Sequence, residues 1–94
     1  MKEHFVYIIY SENHNVYYKG YSQDVEKRLK EHNAGLSRYT SNKGPWELVF
    51  VKSFESKSDA LKYELMLKRQ NHKYILWLIN SEQNEMNHWG KKDL

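Results

Sequence analysis

The fold is decided by the stretch FVYIIYSENHNVYYKGY, which spans residues 5–21. Its first part, residues 5–10, is rich in β-forming residues and apolar on both alternating faces, which is typical of a central strand. Residues 11–14 are polar and turn-like, and residues 16–21 have the composition of a second strand. The stretch therefore predicts a β-hairpin.

A helix is predicted directly after the hairpin. Residues 24–33 show a helical pattern, with Ser22 or Asp24 available as the N-cap and Gly35 just past the end. The rest of the chain predicts a polar, basic loop at about residues 36–44 and a third strand at about residues 46–54. A second helix with a capping-box-like start follows at about residues 56–70, and a short third helix at about residues 73–79. The order ββαβαα predicts an α+β fold, with one small three-stranded antiparallel sheet flanked by about three helices.

Length and composition exclude several classes of protein. The 94 residues make one domain, and the absence of cysteine excludes disulfide scaffolds, thiolate zinc sites, iron–sulfur clusters and cysteine nucleophiles. No apolar run approaches the ~18–20 residues of a membrane span or forms a signal-peptide core, so we expect a cytoplasmic protein with no membrane partner. The net charge of +3 is compatible with a polyanionic partner but does not establish one.

Two tyrosines of the hairpin are candidates for a shared site. If Tyr10 pairs with Asn15 across the turn, Tyr7 stands directly opposite Tyr18 on one face of the sheet, with Cβ atoms ~5 Å apart. Gly20 lies on the same face and leaves bare backbone beside the pair. Paired tyrosines are also ordinary in stable sheets, so this pattern alone leaves both interpretations open.

The first helix brings a cation and an imidazole to the same face. Val25 and Leu29 define its buried stripe, which Leu36 would extend if the helix ran that far. Arg28 and His32 are one turn apart and flank this stripe. The solvent-facing side carries Lys27, Lys30 and Glu31. An arginine at this margin can simply lay its apolar stem over the core, and a histidine can be a structural residue.

A carboxylate lies within the apolar arc of the second helix. Glu64 falls near the centre of this arc, at about 100° per residue. The arc is formed by Ala60, Leu61, Leu65 and Leu67. Carboxylates are rarely buried without a partner. The sequence leaves two explanations, an ion pair with Arg28 or Lys68, or a metal ligand at the floor of a groove.

Together these side chains suit phosphodiester hydrolysis. This reaction needs an oxygen-coordinated cation, a positive group on the phosphate and a group that positions or deprotonates water. Glu64 is a hard oxygen ligand for Mg²⁺, and the planar fork of Arg28 matches phosphate oxygens. A tyrosine would act as the base only if a nearby cation lowered its pKa from ~10.

The same positions resemble the GIY-YIG nuclease superfamily, particularly its short bacterial single-domain members, which are similar to the N-terminal nuclease domain of the repair excinuclease. The two family tripeptides correspond to Phe5-Val6-Tyr7 and Tyr18-Lys19-Gly20. Arg28, in DVEKRLKEHNAG, and Glu64, in SFESKSDALKYE, match the family's catalytic arginine and metal-binding glutamate. The resemblance covers residues 5–79, although Phe5 replaces the glycine of the first tripeptide and Lys19 the isoleucine of the second.

This resemblance implies a Mg²⁺- or Mn²⁺-dependent endonuclease that cuts one DNA strand, in DNA repair or processing. Tyr7 would position or deprotonate the water, and Tyr18 would support the nucleophile or the phosphate. Arg28 would stabilise the pentavalent phosphorus, and Glu64 would hold the metal. His32 would hydrogen-bond a tyrosine or relay a proton.

The sequence also predicts a substrate surface and domain limits. We expect substrate contacts from Lys19, Gly20, Asn33, Arg38, Tyr39 and Lys43. The nuclease-like domain spans residues 1–80, and residues 81–94 form a polar, flexible tail whose Trp89 either folds back onto the core or does not. The additional C-terminal asparagine that some family members use has two candidates, Asn71 and Asn80.

Two other functions stay open at the level of the sequence. Arg38 and Lys43, with Tyr39 beside them to stack on a splayed base, would suffice for weak nucleic-acid binding without turnover. An adaptor that contacts a repair protein is the second alternative. The length leaves no room for an extra DNA-recognition domain. We therefore expect low specificity, or specificity supplied by a protein partner, on DNA that is branched or single-stranded.

Overall fold

The computed structural model describes residues 3–86. Three strands and three helices follow one another as β1 (His4–Ser11), β2 (Val16–Ser22), α1 (Val25–Asn33), β3 (Glu47–Phe54), α2 (Lys57–Leu67) and α3 (His72–Ile79). The strands form one antiparallel sheet in the order β2-β1-β3. The predicted α+β fold and its ββαβαα order are confirmed. No helix in this part of the chain is long and apolar enough to cross a bilayer.

β1 is the central strand because it is apolar on both faces. One face of the sheet packs against α2 and α3, with a core of Val6, Ile8, Phe50, Ala60, Leu67, Ile75 and Leu78. The other face packs against α1 and the loop before β3, with a core of Tyr7, Ile9, Val25, Trp46 and Val51. Side chains of β1 and α1 therefore meet in this second layer, where Tyr7, Tyr18, Arg28 and His32 lie, whereas Glu64 belongs to α2.

The predicted hairpin register is wrong by two residues. Tyr7 lies opposite Gly20, not opposite Tyr18. The turn occupies residues 12–15, because Asn15 adopts a positive φ of 51° and so belongs to the turn instead of pairing as a strand residue. Since side chains alternate with a period of two, the shift keeps Tyr7 and Tyr18 on the same face.

α1 begins and ends as the sequence predicts, and its apolar stripe consists of Val25 and Leu29. The Asp24 carboxylate accepts a hydrogen bond of 3.1 Å from the Lys27 amide at the N-terminus. Gly35, with a φ of 77°, ends the helix, and the Leu36 amide donates to the carbonyl of Glu31. The chain turns away from the sheet at this point. The helix does not reach Leu36, which is 74% exposed, so this residue does not extend the stripe.

The apolar arc expected on α2 is only half correct. Ala60 and Leu67 are buried, whereas Leu61 and Leu65 are 41% and 54% exposed because they lie on the flank away from the sheet. Glu64 follows Ala60 by one turn and lies on the side that faces the sheet, with its side chain 17% exposed. A carboxylate therefore does lie among buried residues, as predicted.

Residues 81–86 pack against the outer edge of β3. Asn84 is buried, its side-chain oxygen accepts a hydrogen bond from the Val51 amide, and its nitrogen donates to the Val49 carbonyl at 2.9 Å. These bonds satisfy backbone groups at a sheet edge that would otherwise be open. Where the sequence predicts a flexible tail, this part of the chain is thus hydrogen-bonded to β3. Trp89 lies outside the described residues.

Candidate active site

Tyr7 is held inside the fold with its hydroxyl next to the outer strand. Its buried ring passes over Gly20, the residue opposite it on β2. A Cβ atom at position 20 would overlap the hydroxyl and Cζ of Tyr7, so only glycine leaves room for the ring. Gly20, predicted as a substrate contact, thus makes space for Tyr7.

Gly20→Ala is expected to displace the Tyr7 ring and to lower the free energy of unfolding by about 1–3 kcal/mol, because the added methyl group overpacks the site. Gly44→Ala is the matched control, since a Cβ atom there meets no neighbour closer than 3.5 Å. Chemical denaturation measures both variants. Equal stability of the two would contradict the close approach of Tyr7 to Gly20.

A hydrogen-bonded chain of three buried side chains begins at Tyr7. His32 Nε2 lies 2.8 Å from the Tyr7 hydroxyl, and His32 Nδ1 lies 2.7 Å from Thr40 Oγ1. The Thr40 hydroxyl donates to the Ser37 carbonyl at 3.5 Å, so its oxygen is left to accept the Nδ1 proton. This network assigns Nε2 as an acceptor, and the Tyr7 hydroxyl donates to it.

Burial keeps both Tyr7 and His32 neutral. It raises the pKa of Tyr7 to about 12, even though the Arg28 guanidinium lowers that pKa through a hydrogen bond and through its charge. Burial, followed by the charge of Arg28, lowers the pKa of His32 to about 4. At neutral pH the phenol therefore carries its proton and the imidazole is free to accept one, which agrees with the direction of the hydrogen bond.

The lowered pKa of His32 predicts a stability that falls in acid. In the unfolded state the His32 imidazole becomes protonated below its ordinary pKa of 6.5. In the folded state it becomes protonated only below its lowered pKa of about 4. Stability is therefore complete above about pH 6.5 and is lost as the pH falls towards 4. In denaturation curves between these values, the wild type should lose roughly 1–3 kcal/mol more than His32→Gln. If the free energies of unfolding of the two proteins changed with pH by the same amount, the loss would not arise from His32.

Arg28 lies one helical turn before His32, between solvent and the buried hydrogen-bonded side chains of Tyr7, His32 and Thr40. Its Nη1 donates to Glu31 Oε1 at 2.7 Å, and both side chains are partly exposed. Glu31, expected to face solvent, is thus the partner that orients the guanidinium beside the Tyr7 hydroxyl. Part of the guanidinium fork stays accessible to an anion next to the phenol.

Tyr18 extends the aromatic cluster from Tyr7 towards the surface. Its ring centre is 6.5 Å from that of Tyr7 and 5.0 Å from that of His32. The Tyr39 ring centre is 5.6 Å from Tyr18, and Lys43 Nζ lies 3.9 Å from the centre of the Tyr39 ring. The structure thus places two of the predicted substrate residues beside the tyrosines of the sheet.

Glu64 is paired with Lys68 and not with Arg28. Its Oε2 lies 3.4 Å from Lys68 Nζ, and the side chains are 17% and 51% exposed. The pKa of Tyr7 is raised mainly by burial, and the charge of Glu64 adds a small further contribution. Among residues 3–86, no group of three or more His, Cys, Asp or Glu side chains could hold a metal ion. Mg²⁺ keeps several waters and binds through one or two carboxylates plus substrate phosphates, so a single half-buried carboxylate with an exposed partner fits it.

Comparison with known protein families decides what kind of domain carries this geometry. A family model described as the GIY-YIG catalytic domain matches residues 3–80. The chain belongs to the GIY-YIG family. The resemblance expected from the two tripeptides, Arg28 and Glu64 is thereby confirmed.

Similar GIY-YIG proteins are short chains of the same extent. A UPF0213 protein of Staphylococcus saprophyticus is 37% identical over 81 residues, which cover 85% of this chain and 98% of the relative. The UPF0213 protein YazA of Bacillus subtilis is 35% identical over 82 residues, which cover 86% and 82%. The solution NMR structure of a UPF0213 protein from Bacillus halodurans matches at 30% identity and a TM-score of 0.56, over 95% of each chain.

The structure also gives the positions and contacts of the other residues that the sequence singled out in this GIY-YIG chain. The Asn33 side chain accepts a hydrogen bond from the Trp46 amide at 2.6 Å and donates to the Trp46 carbonyl at 3.1 Å, so it fixes the loop before β3. Arg38 is exposed on the loop after α1. Asn71 caps the N-terminus of α3, and Asn80 caps its C-terminus.

Thr40 is a site residue that the sequence did not predict. It is buried, it orients His32 through its hydroxyl, and its carbonyl accepts a hydrogen bond of 3.1 Å from Trp46 Nε1. A single threonine in a polar, basic loop carries no periodic or motif signal. Only the folding of that loop against α1 brings it to the imidazole.

Proposed function

We propose that this GIY-YIG protein is a metal-dependent endonuclease that hydrolyses a phosphodiester bond of DNA. The observation that carries the proposal is the chain from Tyr7 through His32 to Thr40, with the Arg28 guanidinium beside the phenol. A phenol whose proton points at a neutral imidazole, next to a cation, is suited to take a proton from water beside a bound phosphate. Membership of a family of catalytic domains supports this reaction class.

Tyr7 and His32 would move a proton together. As water attacks the phosphorus, its proton passes to the Tyr7 oxygen while the Tyr7 proton passes to His32 Nε2. Thr40 keeps the other imidazole proton on Nδ1, so that Nε2 stays free to accept. The lowered pKa that would let Tyr7 act alone as a base is not found, because burial raises it to about 12, so Tyr7 would accept a proton only while it passes its own to His32. The imidazolium that forms has a pKa of about 4 and would hold this proton only briefly.

Arg28 would bind the phosphate and stabilise the negative charge that develops on it during attack. Its hydrogen bond to Glu31 holds the guanidinium in place before the substrate arrives. Tyr18, on the outer side of Tyr7, would contact the nucleophile or the phosphate. Arg28 and Tyr18 would thus help to position the phosphate for attack beside Tyr7.

Glu64 would hold Mg²⁺ or Mn²⁺, with the remaining positions left to water and to the substrate phosphate. Lys68, which pairs with this carboxylate at 3.4 Å, is exposed enough to give way. When bound, the divalent ion supplies charge stabilisation to the phosphate oxygens. Loss of the Glu64 carboxylate should therefore abolish metal binding while the protein stays folded.

A nicking assay on supercoiled plasmid tests this proposed function. The wild-type protein should open the circle in Mg²⁺ or Mn²⁺ and leave it closed in EDTA. DNA binding without nicking in either metal would overturn the proposal in favour of a binding module. Absence of both binding and nicking would favour an adaptor for another protein.

Glu64→Gln is expected to change the free energy of unfolding by less than about 1 kcal/mol, because its partner Lys68 is half exposed. Mg²⁺ or Mn²⁺ should raise the melting temperature of the wild type through ligand linkage and leave that of Glu64→Gln unchanged. Glu31→Gln removes the other paired carboxylate near the site and should keep the metal response. A loss of several kcal/mol in Glu64→Gln, with an undiminished metal response, would make Glu64 a structural residue.

A further inference from the structure

A cleft of about 330 Å³ lies beside the candidate active site, lined by Tyr17, Tyr18, Lys19, Tyr39 and Lys68. Tyr17 and Tyr18 are neighbours on β2, so their side chains point to opposite faces of the sheet. Both line the cleft, and β2 is an outer strand of the sheet. The cleft therefore runs along the free edge of the sheet and not over one of its faces.

The lining of this cleft combines flat rings with positive charge. Tyr39 is 55% exposed, and the side chain of Lys68 is 51% exposed. Lys19, which the family resemblance placed at the substrate, lies here as well. Lys43 adds a further ammonium group over the Tyr39 ring. Aromatic rings complement the faces of nucleic-acid bases, and ammonium groups complement the phosphates that join them.

We propose that the cleft holds an unpaired base of single-stranded DNA, so that the substrate is single-stranded DNA or the unpaired strand of a branched DNA. This inference rests on the proposed function. In a duplex, base faces are covered by their stacked neighbours and base edges by their pairing partners. The rings that line the cleft cannot stack on faces covered in this way, whereas a splayed base can enter the cleft and stack on the exposed ring of Tyr39.

Tyr18 connects the cleft to the proposed reaction. Its ring belongs to the cleft lining and lies 5.0 Å from the His32 ring, centre to centre. A base stacked on the exposed part of the Tyr39 ring, next to Tyr18, would therefore bring an adjoining phosphate to Arg28. Lys68 both lines the cleft and pairs with Glu64, so a nucleotide phosphate offers its ammonium group a second partner.

Fluorescence anisotropy in EDTA measures this binding without cleavage. A labelled oligo-dT should bind the wild type more tightly than a hairpin duplex with the same number of phosphates. Tyr39→Ala should weaken oligo-dT binding roughly 5- to 100-fold, whereas Tyr39→Phe keeps the ring and should bind like the wild type. Trp77→Ala is the matched control, because it removes a ring of similar exposure, 58%, from α3 and should leave binding unchanged.

Equal oligo-dT affinity of the wild type and Tyr39→Ala, or tighter binding of the duplex, would overturn the inference. A melting curve of Tyr39→Ala checks that the variant is folded. The plasmid assay separates this inference from the proposed function. If the plasmid is nicked while Tyr39→Ala binds oligo-dT normally, the cleft assignment alone fails. If no DNA is cut although binding depends on Tyr39, the proposed reaction alone fails.

Discussion

We expect Tyr7→Phe to lower the rate of DNA cleavage by at least about 100-fold, because the substitution removes the hydroxyl that takes the proton from water. The substitution deletes only the hydroxyl that bonds to His32 Nε2 at 2.8 Å. The ring still fills its buried place over Gly20. The cost in the free energy of unfolding should stay near 1–3 kcal/mol, roughly the penalty for one unpaired buried nitrogen, and the protein remains folded.

Tyr21→Phe is the matched control for this substitution. The Tyr21 hydroxyl lies 2.7 Å from His4 Nδ1, so the variant loses the same kind of tyrosine–histidine hydrogen bond at another place on the sheet. It should cleave DNA at the wild-type rate in a single-turnover assay. Equal rates for Tyr7→Phe and Tyr21→Phe would remove Tyr7 from the proton path.

Asn84→Ala is expected to lower the free energy of unfolding by about 2–5 kcal/mol, because truncation leaves several buried backbone groups without partners. The side-chain oxygen accepts hydrogen bonds from the Val51 and Met86 amides at 3.3 and 3.1 Å. The side-chain nitrogen donates to the Val49 and Ile79 carbonyls, both at 2.9 Å. Urea denaturation of the purified variant measures the loss.

Asn80→Ala provides the comparison for this effect. Asn80 is exposed, and its side-chain nitrogen donates at 2.9 Å to the Leu76 carbonyl of its own helix. Its removal should cost less than about 1 kcal/mol, because water replaces the lost partner. Similar losses in the two alanine variants would show that Asn84 does not fasten residues 81–86 to β3.

Local signals in the sequence were sufficient for the element order and for most helix ends. Asp24 and Ser56 each accept a hydrogen bond from an amide of the first helical turn, as their positions before a helical pattern predict. Gly35 takes the left-handed conformation that ends α1. β1 was predictable as the central strand because both of its faces are apolar, which suits only a strand covered on two sides.

The errors arose where tertiary contacts decide between locally equivalent choices. Two hairpin registers that differ by two residues present the same faces, so the pattern of β1 and β2 does not distinguish them, and the left-handed Asn15 selects one. Leu61 and Leu65 are helix-compatible apolar residues whose exposure depends on where α2 meets the sheet. Asn84 acts on a strand far from it in the sequence, which no local pattern records.

The candidate site was more predictable than its internal contacts. Tyr7, Tyr18 and Arg28 were placed together by strand alternation and helical spacing, and these periodicities survive an error in register. The partners of His32 and Glu64 were not determined by such spacing. Glu64 had two candidate partners at the level of the sequence, and the structure pairs it with Lys68.

Cleavage of single-stranded DNA by the wild type and three variants, purified in parallel, tests the central claim most directly. With Mg²⁺ present, the wild type should cut the strand, whereas Tyr7→Phe, Arg28→Ala and Glu64→Gln should each leave it intact while melting as folded proteins. These three side chains come from β1, α1 and α2, so their common effect would define one hydrolytic site. Cleavage by all three variants at the wild-type rate would contradict the account, since the activity would then not arise at this site.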